Sequence, residues 1–252
     1  MLSRGFKLTS KRVINPILFR SYHSTDHIGS NTILNQSTIE SKILNTSLKY
    51  IPEYGFDQKC ITKAIQELKY PDSLNSVISF NDKSPALQMM LYWLKLQRSK
   101  LETYVIEHAQ ELDSMKNDYE RLNHLIKIRL MYNEPILKEL PQGIAQLIVP
   151  YNLGSGLEQI HELSDDLAFY SGDDSHDFSW YSKRLGISTI YVSSELFMVN
   201  DTSKDFERTK QFVDNKVKDF EKLGNGYNDV EQWLGFNAIS LVNLIKSQLN
   251  RG

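Results

Sequence analysis

Glu158 and His161 stand three residues apart in a helical run, so a carboxylate and an imidazole share one helix face. Di-iron bundles use two such Glu-x-x-His pairs, with two further carboxylates from facing helices. No second Glu-x-x-His occurs in the chain, so that template cannot be completed within one copy. The cluster Asp173, Asp174, His176 and Asp177 has the residue types of a hard-cation loop. It lacks the central Gly and closing Glu that a calcium loop requires. Its spacing fits a connector better, with Gly172 ending one helix and Asp177 capping the next. Cys60, the single cysteine, has no neighbouring His, and it excludes an intramolecular disulfide or a Cys-rich metal cluster. No Gly-x-Ser-x-Gly elbow, dinucleotide fingerprint or Walker sequence is present. Nothing in these motifs supports an enzyme.

What remains around the acidic cluster is aromatic. Phe169, Tyr170, Phe178, Trp180, Tyr181 and Tyr191 fall within 36 residues, from Leu163 to Met198. Trp180 and Tyr181 are adjacent, so a helix cannot bury both equally. Helical spacing places Phe178, Tyr181, Leu185, Ser188 and Val192 on an inward row and turns Trp180 partly outward. With Lys183 and Arg184 beside it, this is the composition of an interface hot spot. Coverage of a neighbouring helix by Trp180 is the alternative, and the pattern alone does not separate the two.

The elements that must position these residues read as helices throughout. Apolar residues recur at helical spacing from Ser37 onward, and no segment shows sustained period-two alternation. Ser37 with Glu40 suggests a capping box, and Pro52 and Gly55 a stop. Two further short helices, the last from Asp72 to Phe80, complete a helix-turn-helix pattern over 37–80. That last helix has no Arg or Lys and offers only Asn75 for base readout, so DNA binding is not expected. Ser84 caps a long helix, and helices follow to about Phe220, the last expected to begin near Phe206 and end at Gly224. A final segment, 229–249, has Val230, Trp233, Leu234, Leu241, Val242, Leu244, Ile245 and Leu249 over about half its circumference. Such a helix either packs on the body or lies in a membrane interface.

Charge is uneven along the 252 residues. Five of the 29 basic residues lie in 1–22, before the first acid, Asp26; the remaining 24 face 31 acids, a net charge near −7. An acidic body argues against nucleic acid as a partner. The basic, acid-free segment 1–22 has the composition of a mitochondrial transit peptide, followed by a polar linker over 23–36. No run approaches the roughly 20 apolar residues of a spanning helix, so membrane association would be peripheral.

The run LSDDLAFYSGDDSHDFSWYSKR, then SSELFMVND and the ending VNLIKSQLNRG, closely resemble the ninth-component family of mitochondrial ubiquinone (coenzyme Q) biosynthesis, from about Ser37 onward. The resemblance implies an all-α, TetR-regulator-like bundle with a vestigial helix-turn-helix unit, a lipid-binding core over 84–223 and a C-terminal amphipathic helix. It implies a non-catalytic accessory protein without a cofactor, peripheral on the matrix side of the inner membrane. Its ligand would be an isoprenoid quinone or phospholipid. Its partners would be the di-iron demethoxyubiquinone hydroxylase and the ubiquinone biosynthesis complex, with a homodimer left open. The family's partner patch falls on Leu167, Trp180 and Tyr181; Leu167 stands where relatives can carry Met. Membrane contact falls on Trp233, Leu234, Leu241, Val242, Leu244, Ile245 and Leu249. Periodicity suggests Phe169, Tyr191, Phe197 and Met198 as lipid contacts. The competing expectations are a metal-dependent hydroxylase using Glu158 and His161, and a DNA-binding regulator of the same fold.

Overall fold

A computed structural model of the chain describes residues 33–79, 83–173, 179–223 and 243. Its regular elements are helices: α1 (Ile39–Ser47), α2 (Ile51–Tyr54), α3 (Gln58–Glu67), α4 (Leu74–Ser79), α5 (Pro85–Glu107), α6 (Ala109–Ser114), α7 (Asp118–Met131), α8 (Leu140–Ile148), α9 (Leu153–Ser171), α10 (Ser179–Val199) and α11 (Glu207–Leu223). No strand occurs among the described residues.

Local chemistry accounts for most boundaries. Thr38, not Ser37, caps α1: its hydroxyl accepts the Ser41 amide at 3.1 Å. Ser37 is drawn away by the Asn35 side chain, to which its hydroxyl donates at 2.6 Å. Pro52 does not stop the chain but opens α2, where its missing N–H costs nothing; Gly55, at φ 69°, provides the stop. Ser84 caps α5 by accepting the Leu87 amide. Gly172, at φ 97°, ends α9 in a Schellman motif, with Gly172 N–H donating to Phe169 O and Asp173 N–H to Ala168 O.

Two apolar cores result, and α5, about 35 Å long at 1.5 Å per residue, runs through both. The first is built from α1 to α4 against the start of α5, around Ile43, Ile51, Cys60, Ile65 and Met90. The second joins the end of α5 to α7, α9, α10 and α11, around Leu101, Leu125, Leu167, Ile190 and Val213. Helices α5 and α7 run antiparallel, in a register shown by two bonds: Tyr104 OH lies 2.8 Å from His124 Nε2, and Trp93 Nε1 donates to Asn133 Oδ1 at 3.1 Å. In α4, Asn75 accepts a bond from Thr62 Oγ1 of α3 at 3.3 Å, so the one base-reading side chain of that helix is tied inward.

Helix α11 begins one residue after Phe206. Phe206 itself closes a short 3-10 turn with φ 56°. Asp201 holds the turn, its carboxylate accepting from Ser203 N–H, Thr209 N–H and Thr209 Oγ1 at 2.8, 2.9 and 2.6 Å. Burial alone would raise its pKa, but these donors outweigh that and lower it to about 2 from 3.8. A carboxylate depressed in the folded state stabilises above its unfolded pKa, and the contribution fades as pH falls through the folded value. Asp201→Asn is therefore expected to be less stable than wild type above about pH 4. The difference should close as urea melts are repeated toward pH 2; a gap that persists there would refute the linkage. Gly186 of α10 is a packing requirement, because a Cβ there would overlap the Phe220 ring of α11. Gly186→Ala should lower unfolding free energy by about 1–3 kcal/mol in the same assay.

Candidate functional site

The densest polar chemistry lies on α9, where Asp165 and Asp166 are consecutive and both buried. Successive helical residues point about 100° apart, so the two acids reach different helices. Asp165 Oδ1 accepts from Arg184 Nε of α10 at 2.6 Å. Asp166 Oδ2 accepts from Arg98 Nε of α5 at 2.7 Å, and Glu162, one turn earlier, takes Arg98 Nη1. Burial would lower the Arg98 pKa, but Asp166 and Glu162 raise it overall and hold the guanidinium charged. Arg184 also reaches beyond the helix end, where Nη1 donates to Asp173 Oδ2 at 3.1 Å and Lys183 Nζ to Asp173 Oδ1 at 2.6 Å. Asp173 is thus a buried ion-pair acceptor as well as part of the connector. Of the acidic cluster, Asp174, His176 and Asp177 lie outside the described residues.

This clamp fixes the rotation of α10. Arg184, Ile187, Tyr191, Glu195 and Met198 form its buried face. Tyr181 and Leu185, expected inward, are instead 62% and 56% exposed. The reason is Arg184, whose charge must face Asp165 and so carries the row before and after it to the outside. Trp180 is half-buried. Its ring is covered by the Arg184 guanidinium at 4.0 Å and meets the His161 ring edge-on at 6.1 Å. His161 therefore packs against an aromatic neighbour, while Glu158 is exposed. Tyr181 leans on Trp180, ring centres 4.7 Å apart. Along α9, Leu157 and Leu153 lie one and two turns before His161 and are also exposed. The result is an apolar ledge running from Leu153 to Leu185 across two helices.

Leu167 does not belong to that surface. It is 0% exposed and packs in the second core, so any part it takes in a docking patch is as support from within. The suggested lipid contacts are not gathered into one place. Phe169 faces outward on α9, Phe197 stacks on Phe212 of α11 at 4.6 Å, and Met198 is core. Tyr191 lies in a buried polar centre. Asn133 Nδ2 donates to Glu195 Oε1 at 2.6 Å and to Tyr191 OH at 3.4 Å, and Tyr191 OH donates to Glu195 at 3.0 Å. Asn133 Oδ1 accepts from both Trp93 and Arg129. Burial raises the pKa of Glu195 against the opposing pull of Arg129, and raises that of Tyr191, which stays a donor. The residues expected at the membrane, Trp233, Leu234, Leu241, Val242, Leu244, Ile245 and Leu249, lie outside the described residues. Among the described residues, no three His, Cys, Asp or Glu side chains are grouped to hold a metal, and no helix is long and apolar enough to cross a membrane.

Sequence reasoning missed the Asp165–Arg184 and Asp166–Arg98 pairs. The available signal was two acids between Leu163 and Leu167, on the face of a helix that otherwise turns apolar residues inward.

Asp165, Asp166 and Arg184 all lie in the segment that a family model matches. The COQ9 family model matches residues 153–224, which cover α9 to α11. The chain is 32% identical to the mitochondrial ubiquinone biosynthesis protein COQ9 of Saccharomyces cerevisiae, over 93% of this chain and 95% of that one. It belongs to the COQ9 family. The Schizosaccharomyces pombe counterpart is 33% identical over 96% and 92% of the two chains, and the human one 28% over 83% and 68%. In fold, the chain resembles a TetR transcriptional regulator from Nitrosomonas europaea, with a TM-score of 0.54 and 13% identity over 71% of this chain and 96% of that one. The described residues are thus all-α, as helical periodicity suggested, and TetR-like in fold, as the resemblance implied.

Removing one partner of a buried ion pair leaves an uncompensated charge, which costs about 3–5 kcal/mol. Arg184→Leu is expected to lose that much in chemical denaturation, and Arg184→Lys appreciably less. Equal losses for the two would mean the pairing with Asp165 contributes little.

Proposed function

We propose that this chain is a non-catalytic, lipid-binding accessory protein of mitochondrial ubiquinone biosynthesis. It takes up isoprenoid quinone intermediates at the matrix face of the inner membrane and presents them to the di-iron demethoxyubiquinone hydroxylase. The observation that carries this reading is the ledge. Tyr181 and Leu185 are large, apolar and exposed on a helix whose rotation is fixed by buried ion pairs. Trp180 beside them is oriented by Arg184. Rigid aromatic side chains held outward lose little freedom on binding, which is the energetic requirement of an interface anchor. Family membership supplies the pathway, because the matched relatives are mitochondrial ubiquinone biosynthesis proteins. The amphipathic pattern of 229–249 supports membrane contact. Several large apolar side chains, each worth about 1.5–3 kcal/mol when removed from water, are enough to hold such a helix at an interface.

Tyr181→Ala removes a mostly exposed ring and should lower stability only slightly, by about 1 kcal/mol for its contact with Trp180. Binding to the purified hydroxylase, followed by surface plasmon resonance, should weaken by about 30-fold or more, the scale of a 2 kcal/mol hot spot. Trp180→Lys should abolish binding too, with some loss of stability because Trp180 also covers Arg184. Undiminished binding by Tyr181→Ala would place the docking surface elsewhere. Mass spectrometry of organic extracts of the purified chain tests the lipid half directly: finding neither isoprenoid nor phospholipid would refute it.

A further inference from the structure

The buried polar centre between α5, α7 and α10 is incompletely satisfied, at Arg129 and Gln97. Arg129 is 0% exposed. Its Nη1 donates to Asn133 Oδ1, while Nε and Nη2 have no hydrogen-bond partner. Gln97 is also 0% exposed, and neither its oxygen nor its nitrogen is paired. The antiparallel register puts these two residues opposite each other. Trp93 meets Asn133 and Tyr104 meets His124, so Gln97, one turn after Trp93, faces Arg129, one turn before Asn133. The guanidinium lies over the Tyr191 ring at 5.5 Å. Buried amides and guanidinium groups are nearly always paired, so several orphaned ones at one place call for an explanation. The remaining members, Trp93, Asn133, Tyr191 and Glu195, satisfy one another and hold Arg129 in place.

We infer that Arg129 and Gln97 form the head-group site of the bound ligand: they take the acceptor oxygens at the polar end of an otherwise apolar molecule. The chemistry is specific in direction. Arg129 offers only donors, and Gln97 adds one further donor group and one acceptor. Leu101, one turn after Gln97, and Leu130, beside Arg129, belong to the apolar second core, so the polar atoms sit in surroundings that suit a mostly apolar ligand better than a hydrated ion. Ring carbonyls or phenols of a quinone precursor and the ester or phosphate oxygens of a phospholipid present the same acceptors. The inference rests on the lipid-binding reading above and adds to it which residues recognise the polar end.

The test uses the full chain, titrated by calorimetry with a one-isoprenoid ubiquinone and, separately, with a short-chain phosphatidylcholine. Gln97→Leu should weaken binding of the recognised ligand by about three- to tenfold, and Arg129→Met by more than about tenfold, the scales of neutral and charged hydrogen bonds. Gln97→Leu also removes two unpaired polar atoms from the interior, so its melting temperature should stay level or rise. It therefore remains informative if Arg129→Met fails to fold. A loss confined to the quinone identifies ring oxygens as the recognised group, and one confined to the phospholipid identifies the ester or phosphate oxygens. Wild type that binds either ligand, with Gln97→Leu binding it equally well, overturns the head-group assignment and leaves lipid binding intact. Wild type that binds neither overturns the lipid reading itself, and the assignment with it.

Discussion

Asp165 and Asp166 set the geometry on which the rest of the C-terminal half depends. Two adjacent acids on a helix cannot face the same neighbour, and both are buried. Helix α9 must therefore lie between two helices that each bring an arginine, and only one rotation of α9 satisfies both pairs. Arg98 of α5 and Arg184 of α10 fill those roles. Net stabilisation from such pairs is small, because desolvation of the charges offsets most of their attraction. Asp165 Oδ2 even remains unpartnered. Their contribution is to specificity: a rotated or slipped α9 would bury at least one unpaired charge, a far worse state than the native one.

The consequence appears on the outside of the molecule. Because Arg184 is turned inward, Tyr181 and Leu185 are carried outward, and Trp180 is held between Arg184 and His161. The exposed apolar surface of this family member is thus the reverse side of a buried electrostatic constraint. The same helix contributes Tyr191 and Glu195 to the interior polar centre. One rotation of α10 fixes the exposed ledge and one side of the interior polar centre together, so the proposed docking surface and the proposed head-group site share one element.

The N-terminal unit packs short helices against α5 and has no Arg or Lys on α4. Asn75 of that helix is bonded to Thr62 of α3. Its apolar core is nevertheless complete and continuous with α5 through Met89, Met90 and Trp93. Packing of such a unit depends on its inward faces, whereas nucleic-acid binding draws on the outward ones.

The linear chain determined much of this protein. Apolar spacing with caps such as Ser84 and stops such as Gly55 and Gly172 made the all-helical character legible, since those signals act within a few residues. The run around Asp165 to Tyr181 carried the family. Tertiary structure alone decided which face of α10 is buried. Apolar periodicity placed Tyr181 and Leu185 inward, because a hydropathy pattern assigns every large apolar residue to the core. A single long-range pair, Arg184 with Asp165, overrode it. The facing of Gln97 and Arg129 was equally hidden: they lie 32 positions apart in the chain, and only the antiparallel register of α5 and α7 makes them neighbours. Local signals fix what each segment becomes; contacts between buried charges fix which way it faces.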